Sequence, residues 1–141
     1  RPPRSTLFPY TTLFRSLGAN AAGLALLFDG IPSRTAAFYL DTAHLLVGGE
    51  PFPYAAAVAG DRVGVLGLKD YRRQRTTDAP GGGRGIGVPA GAGDVDWRAT
   101  SETLARTPQP VVKTINIEFA FDDIEAAVRN EVDYYRSMNI G

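Results

Sequence analysis

Hydrophobic positions along the chain fall into short uninterrupted runs and longer stretches with helical spacing. Three short runs, rich in β-branched and aromatic residues, predict buried strands over residues 35–40, 62–68 and 111–117. Four longer stretches predict helices over 17–28, 51–59, 94–107 and 122–138. The Arg- and Gly-rich region 71–93 predicts a loop.

This α-β-α-β-α-β-α order predicts an α/β fold with a parallel sheet joined by right-handed crossovers. Three strands within about 125 residues fit a small open sheet. They also fit a sector of a (β/α)8 barrel, which needs about 250 residues in full. The periodicity leaves both architectures open.

The ends of the predicted helices carry recognisable signals. The D-G-I-P run at 29–32 ends the first helix, and Asp94 or Asp96 can cap the third. In the last helix, Asp122 has capping-box spacing to a glutamate three residues later. Ile124, Val128 and Tyr135 lie on one predicted apolar stripe of that helix.

The first sixteen residues are set apart from the rest. Residues 6–16, T-L-F-P-Y-T-T-L-F-R-S, resemble the in-frame translation of a sequencing-library adapter. We therefore expect a non-native leader over 1–16, and a domain over 17–141 whose true beginning lies upstream. The alternative is a genuine aromatic-rich arm that packs on the domain.

Composition narrows the classes of function. Lys and Arg together number 15, as do Asp and Glu, so the chain lacks the basic character of a nucleic-acid binder. The sequence contains no Cys, which excludes disulfides and thiolate metal sites and fits a reducing, cytoplasmic location. No apolar run approaches the roughly 20 residues of a membrane span, so we expect no membrane partner.

Ionisable residues follow all three predicted strands. They are Asp41, the pair Lys69 and Asp70, and Glu118, with the only histidine, His44, shortly after the first. The side-chain period of two puts Val63, Val65, Gly67 and Lys69 on one face, and the third strand likewise turns polar toward its end. Ligands bind at the carboxyl ends of parallel strands, so these residues predict a site. Alternatively, strand ends are simply solvated and Asp41 caps the next turn.

The Gly-rich region needs a separate reading. Residues 85–90 satisfy G-x-G-x-x-A, but a dinucleotide site needs a strand directly before the motif and a helix opening on it. A loop that closes over substrate is the better interpretation. Its arginines, at positions 72, 73, 75 and 84, would hold a phosphate or carboxylate, or else carry solvated charge.

Four motifs in order resemble the sugar-phosphate isomerase/epimerase family with the xylose-isomerase-like TIM barrel. They are L-D-T-A-H at 40–44 (the family's D-T-G-H), L-K-D at 68–70 (the end of its H-L-K-D), G-A-G-D-V-D-W at 91–97, and I-E at 117–118. The resemblance implies a partial TIM barrel, the last three βα units. It implies a sugar or sugar-phosphate substrate and proton transfer beside a carbonyl through an enediolate.

The resemblance also implies roles for individual residues. Asp41 and Glu118 would bind a divalent metal, Mn²⁺, Mg²⁺ or Co²⁺, in the full-length parent. Glu118 and Lys69 would be catalytic, and His44 and Arg73 would contact substrate. Hard carboxylate oxygens suit such ions, and a neighbouring carboxylate can exchange the substrate proton.

Two departures from the family pattern bear on these roles. Gly67 stands where the family has a metal-binding His, and the other family Glu belongs to an earlier strand. At most two of four ligands are therefore present, so we expect the fragment alone to be inactive. A non-catalytic sugar-binding relative and a dehydratase of the same barrel class stay as alternatives. A homo-oligomer also stays open, because unpaired sheet edges favour self-association.

Overall fold

A computed structural model of the protein describes residues 20–75, 83–107 and 112–140. The predicted leader over 1–16 lies outside these residues. The elements in chain order are α1 (Ala21–Leu27), β1 (Phe38–Asp41), α2 (Thr42–Gly48), α3 (Phe52–Ala59), a 3-10 turn (Gly60–Arg62), β2 (Val63–Leu68), β3 (Asp70–Arg75), β4 (Gly83–Val88), α4 (Trp97–Leu104), β5 (Val112–Ile115) and α5 (Ile124–Ser137).

The three predicted strands form one parallel sheet in the order β1-β2-β5. Asp41 pairs with Gly67, and Gly67 pairs with Thr114, so the carboxyl ends of all three strands lie at one edge. The register shifts between Phe38 and Tyr39, which leaves Gly64 as an extra residue on β2. The predicted α/β class and the parallel pairing are therefore confirmed.

The helices cover one face of this sheet. Phe38, Leu66 and Leu68 are at most 1% exposed and pack in one cluster with residues of the surrounding helices. Burying each such side chain stabilises the fold by about 1.5–3 kcal/mol. Val63 belongs to the same cluster, because the extra residue on β2 breaks strict alternation, so its predicted place beside Val65 is wrong.

The region 71–93, predicted as a loop, instead contains an antiparallel hairpin. Strand β3 pairs with β4, from Asp70 opposite Val88 to Arg75 opposite Gly83. The sequence hides this hairpin because β3 is almost entirely polar and β4 is half glycine. The glycines serve tertiary contacts: Tyr71 and Val47 close over Gly85, and the Glu118 backbone lies against Gly87.

Helix α2 was not predicted, and its cap explains why it forms. The Asp41 carboxylate accepts a hydrogen bond from the His44 backbone N–H at 2.9 Å, which satisfies a free donor at the start of the helix. The helix ends at Gly49, which has the left-handed φ of 74°. The alternative in which Asp41 caps the next turn is thus confirmed.

The caps of the later helices agree with the predicted ones in one case and differ in the other. Asp96 caps α4, as one of the two predicted candidates. Helix α5 is capped by Asp123 rather than by Asp122, because the Asp123 carboxylate accepts two backbone N–H groups. The buried line of α5 runs through Ala127, Glu131 and Tyr135, whereas the predicted stripe residues Ile124 and Val128 are 49% and 43% exposed.

Candidate functional site

The carboxyl ends of the three parallel strands meet at the ammonium group of Lys69. Its Nζ lies 3.1 Å from Asp41 Oδ2 and 2.8 Å from Glu118 Oε1. The His44 Nε2 atom lies 3.3 Å from the same nitrogen. Four of the five predicted site residues therefore lie in one cluster, namely Asp41, His44, Lys69 and Glu118. With Tyr71, which also contacts Glu118, they form what we call the Lys69 cluster.

The backbone fixes Lys69 at this position. It follows the end of β2 directly, and the buried Thr42 hydroxyl donates to the Lys69 carbonyl at 2.7 Å. The Lys69 N–H donates in return to Thr42 Oγ1 at 3.2 Å. Beyond β5, the Asn116 N–H donates to the Leu68 carbonyl at 3.0 Å, which carries the chain toward Glu118 beside Lys69.

Burial distinguishes the two carboxylates. Asp41 and Lys69 have side chains only 6% and 4% exposed, whereas the Glu118 side chain is 43% exposed. A buried ammonium needs charged partners, and the buried Asp41 carboxylate supplies one. Glu118 is the carboxylate that a molecule in solvent can reach.

Tyr71 is a member of the cluster that the sequence reading missed. Its hydroxyl donates a short hydrogen bond to Glu118 Oε2, and its ring lies 5.3 Å from Lys69 Nζ. Burial, together with the Glu118 carboxylate, raises the pKa of Tyr71 above its usual 10.0, so the hydroxyl remains a donor. Tyr71 is the second residue of β3, in a region predicted as a loop, which is why nothing in the sequence connected it to Glu118.

The charges of the cluster shift one another. Burial acts to lower the pKa of Lys69, but the hydrogen bond to Glu118 and the charge of Asp41 outweigh it and raise the pKa above 10.5. The hydrogen bonds from Lys69 and then Tyr71 lower the pKa of Glu118 below 4.5. At neutral pH, Lys69 is therefore a cation and Glu118 an anion.

His44 lies at the solvent side of the cluster, with 67% of its side chain exposed. An ammonium group can only donate, so Nε2 accepts from Lys69 and the ring proton is on Nδ1. That atom lies 3.5 Å from Asp41 Oδ2. The imidazole also packs edge-to-face with Tyr71 at 6.4 Å between ring centres.

Arg73 is the predicted site residue that the structure does not bring into the cluster. Its backbone N–H donates to Asp94 Oδ2 at 2.7 Å. Its guanidinium group lies beside Gly49 at the end of α2. Among the described residues it forms no ion pair with Asp41 or Glu118, so its role toward substrate stays a prediction.

Gly67, where the resemblance expects a His, is covered by Tyr39. A Cβ at position 67 would lie 2.6 Å from the Tyr39 hydroxyl and 3.3 Å from Asp41 Oδ2. That hydroxyl accepts a hydrogen bond from Asn116 Nδ2 at 3.0 Å. A polar side chain from β1 therefore occupies the space that a β2 ligand would need.

The arrangement does not fit a divalent metal as it stands. Within the described parts of the chain, no group of three or more His, Cys, Asp or Glu side chains could hold a metal ion. Asp41 and Glu118 both point to the Lys69 ammonium, so a positive charge of the protein already lies between the two predicted ligands.

A cavity of about 730 Å³ adjoins the site along β1. Asp41 and His44 line one part of it, and apolar side chains such as Leu24, Phe28 and Phe38 line another. The walls of this cavity are mainly apolar, so the cavity is less suited to a polyhydroxylated ligand than the polar Lys69 cluster is.

Asp70, next to Lys69, organises the chain beneath the site. Its Oδ2 atom accepts hydrogen bonds from the Gly91 N–H at 2.9 Å, the Gly93 N–H at 3.1 Å and the Trp97 indole at 2.9 Å. Its Oδ1 atom accepts from the Val95 N–H at 3.2 Å. The G-A-G-D-V-D-W motif thus wraps around one buried carboxylate and has a structural role.

Comparison with known proteins assigns the chain to no family. No protein-family model matches the sequence and no curated protein matches it. In the described segments, none of the helices combines the length and the apolar character needed to cross a membrane.

Proposed function

We propose that the chain is part of a sugar or sugar-phosphate isomerase or epimerase in which Glu118 transfers a proton at the carbon beside a carbonyl. The observation that supports this proposal is that Asp41 and Glu118 both contact the ammonium group of Lys69. The three residues come from the carboxyl ends of three parallel strands. A fixed cation next to an accessible carboxylate is what an enediolate-forming reaction requires.

The proposed step balances without an added oxidant or reductant. The Glu118 carboxylate takes the proton from the carbon next to the carbonyl, and the C–H electron pair forms a carbon–carbon double bond. The carbonyl π electrons move to its oxygen, whose negative charge faces Lys69. Return of the proton to the former carbonyl carbon, with transfer of the proton of the neighbouring hydroxyl to the enediolate oxygen, gives isomerisation. Delivery of a proton from a second donor, such as water, to the opposite face of the original carbon gives epimerisation.

The cluster keeps Glu118 ionised and oriented. Its lowered pKa leaves it an anion at neutral pH, and the same shift makes it a weaker base, so orientation is the larger contribution of the cluster. The hydrogen bonds from Lys69 and Tyr71 fix both of its oxygens, and this orientation reduces the entropic cost of reaching the transition state. His44, on the solvent side, can bind substrate hydroxyls once its Nε2 releases Lys69.

We further propose that the sheet is a sector of a (β/α)8 barrel. The helices cover the Phe38 face, whereas Tyr39 and Val112 on the other face are 50% and 62% exposed. In a closed barrel that second face would line the interior, and the Lys69 cluster would lie at the mouth. A divalent cation held by Asp41 and Glu118 in a longer protein would require Lys69 to leave both carboxylates.

The test is exchange of substrate hydrogen with solvent. The inactivity expected for the fragment rests on its missing metal ligands, whereas the proposed step uses only Glu118 and Lys69, which the chain contains. The protein is therefore incubated in D₂O with dihydroxyacetone, D-fructose and their phosphate esters, and NMR follows deuterium entry beside the carbonyl. We expect catalysed exchange that Glu118→Gln abolishes. Glu102→Gln is the matched control, because Glu102 is an exposed glutamate whose ion pair within the described part of the chain is with Arg98 on α4. Equal exchange in wild type and Glu118→Gln contradicts the proposal.

A second candidate is a sugar-binding protein without catalysis, and the surroundings of Gly67 favour it. The Tyr39 hydroxyl and the Asn116 amide form a polar surface beside Asp41, which can bind sugar hydroxyls. Under this alternative, saturation-transfer NMR detects binding of the same sugars, whereas no deuterium enters them. Catalysed exchange rules it out.

A further inference from the structure

We infer that the Lys69 ammonium is itself the cation of this site and that proton transfer here needs no divalent metal. This inference rests on the proposed function and states which positive charge stabilises the enediolate. It departs from the metal dependence that the sequence resemblance implies.

The ammonium group already lies between the two predicted metal ligands. Lys69 Nζ lies within 3.1 Å of one oxygen from each predicted metal ligand, Asp41 and Glu118. Divalent ions bind carboxylate oxygens at about 2.0–2.6 Å. An ion bound to both of these oxygens would therefore lie against the ammonium group, and the two positive charges would repel each other.

Lys69 is also held in place, so it cannot easily move away from the two carboxylates. Its side chain is 4% exposed, and Thr42 bonds to both its N–H and its carbonyl. A charge this deeply buried is costly without its partners. Asp41 cannot follow a metal either, because its other oxygen caps α2 through the His44 N–H.

Position 67 supplies no metal ligand. A Cβ there would lie 2.6 Å from the hydroxyl of the half-exposed Tyr39, which would have to shift and leave its hydrogen bond with Asn116. Strand β2 and the residue that follows it therefore offer the site the Lys69 ammonium and offer no imidazole. The described residues offer a metal two carboxylates with a competing cation between them.

The geometry also indicates how a substrate oxygen reaches Lys69. An ammonium has three N–H donors, and Asp41, Glu118 and His44 account for all three. His44 is the most exposed of these partners, at 67%. We expect the substrate carbonyl oxygen to replace His44 Nε2, which leaves both carboxylates in place as the enediolate forms.

The experiment compares metal-free and metal-loaded protein. The chain is passed over chelating resin, its metal content is measured by mass spectrometry, and deuterium exchange into the four probe sugars is followed with EDTA or with added MnCl₂. We expect exchange at an unchanged rate in EDTA and no saturable heat when MnCl₂ is titrated into the protein. Exchange that disappears in EDTA and returns with Mn²⁺ overturns the inference and leaves the proposed function intact.

Exchange that is absent under both conditions contradicts the proposed function instead. Lys69→Met should abolish exchange, whereas Lys113→Met should leave it unchanged, since Lys113 is the other lysine of the sequence and is exposed on β5. Should Lys69→Met fail to fold, the EDTA and Mn²⁺ measurements on the wild-type chain decide alone. Saturable Mn²⁺ binding by the wild type that Glu118→Gln abolishes also overturns the inference.

Discussion

Replacement of the buried carboxylate of Asp70 should cost more stability than any other single polar change in the described fold. The carboxylate is 1% exposed and accepts four hydrogen bonds, three from backbone N–H groups and one from the Trp97 indole. In Asp70→Ala these donors lose their shared acceptor. The indole is itself buried and cannot turn to water, whereas the backbone groups are partly exposed.

The expected loss follows from these contacts. A buried donor left unpaired costs about 1–3 kcal/mol, and partly exposed donors recover some of their loss from water, which gives a total of about 3–5 kcal/mol. For a chain of this length, that corresponds to a melting temperature lower by about 10 °C or more. The stability of Asp70→Asn should lie between those of the wild type and Asp70→Ala. Its one carbonyl oxygen can still accept from three donors, whereas its amide NH₂ would face the Val95 N–H and cannot accept from it.

The assay is urea unfolding followed by circular dichroism and by the fluorescence of Trp97, the only tryptophan in the sequence. Asp96→Ala is the matched control. Its carboxylate is exposed and makes one capping hydrogen bond to the Ala99 N–H at 2.9 Å, so its loss should cost only about 1 kcal/mol. The reasoning is refuted if Asp70→Ala costs no more than Asp96→Ala, or if the Trp97 emission of the folded protein is unchanged.

Two further changes test the surroundings of Glu118. Gly87→Ala should lower the melting temperature clearly, since a Cβ there would lie 2.7 Å from the Glu118 carbonyl carbon. Gly48→Ala should leave it unchanged or raise it, because no atom of the described residues would lie within 4 Å of the added Cβ. Equal effects of the two changes would refute this packing. Glu118 has a lowered pKa in the folded protein, so its contribution to stability is present above its usual pKa of 4.5 and lost as the pH falls through the folded value. Melting temperatures measured across the acid range should therefore fall less steeply for Glu118→Gln than for wild type, and parallel curves would contradict the ion pair.

The sheet and the meeting of its strand ends could be predicted because they depend on local patterns. Short β-branched runs identified the three strands, and parallel pairing necessarily brings Asp41, Lys69 and Glu118 to one edge. The polarity of those three positions was sufficient to predict a cluster. It was not sufficient to predict that Lys69 lies between the two carboxylates.

The hairpin and Tyr71 could not be predicted because they depend on contacts distant in sequence. Strand β3 lacks the apolar alternation that identifies a half-buried strand, and its partner reads as a glycine-rich loop. Gly85 and Gly87 favour a strand here only because the Tyr71 ring and the Glu118 backbone pack against them. No local pattern encodes the contact between Gly87 and Glu118, which lie about thirty residues apart in the sequence.

The charge state of Lys69 tests the central cluster most directly, because the sequence contains only two lysines, Lys69 and Lys113. With ¹⁵N-labelled lysine, NMR can follow the titration of both side-chain nitrogens, and the exposed Lys113 serves as an internal reference. The structure predicts a pKa for Lys69 above 10.5 and a decrease of that value in Glu118→Gln. A Lys69 pKa that is not raised, with no response to Glu118→Gln, would contradict a shared ammonium at the ends of the three strands.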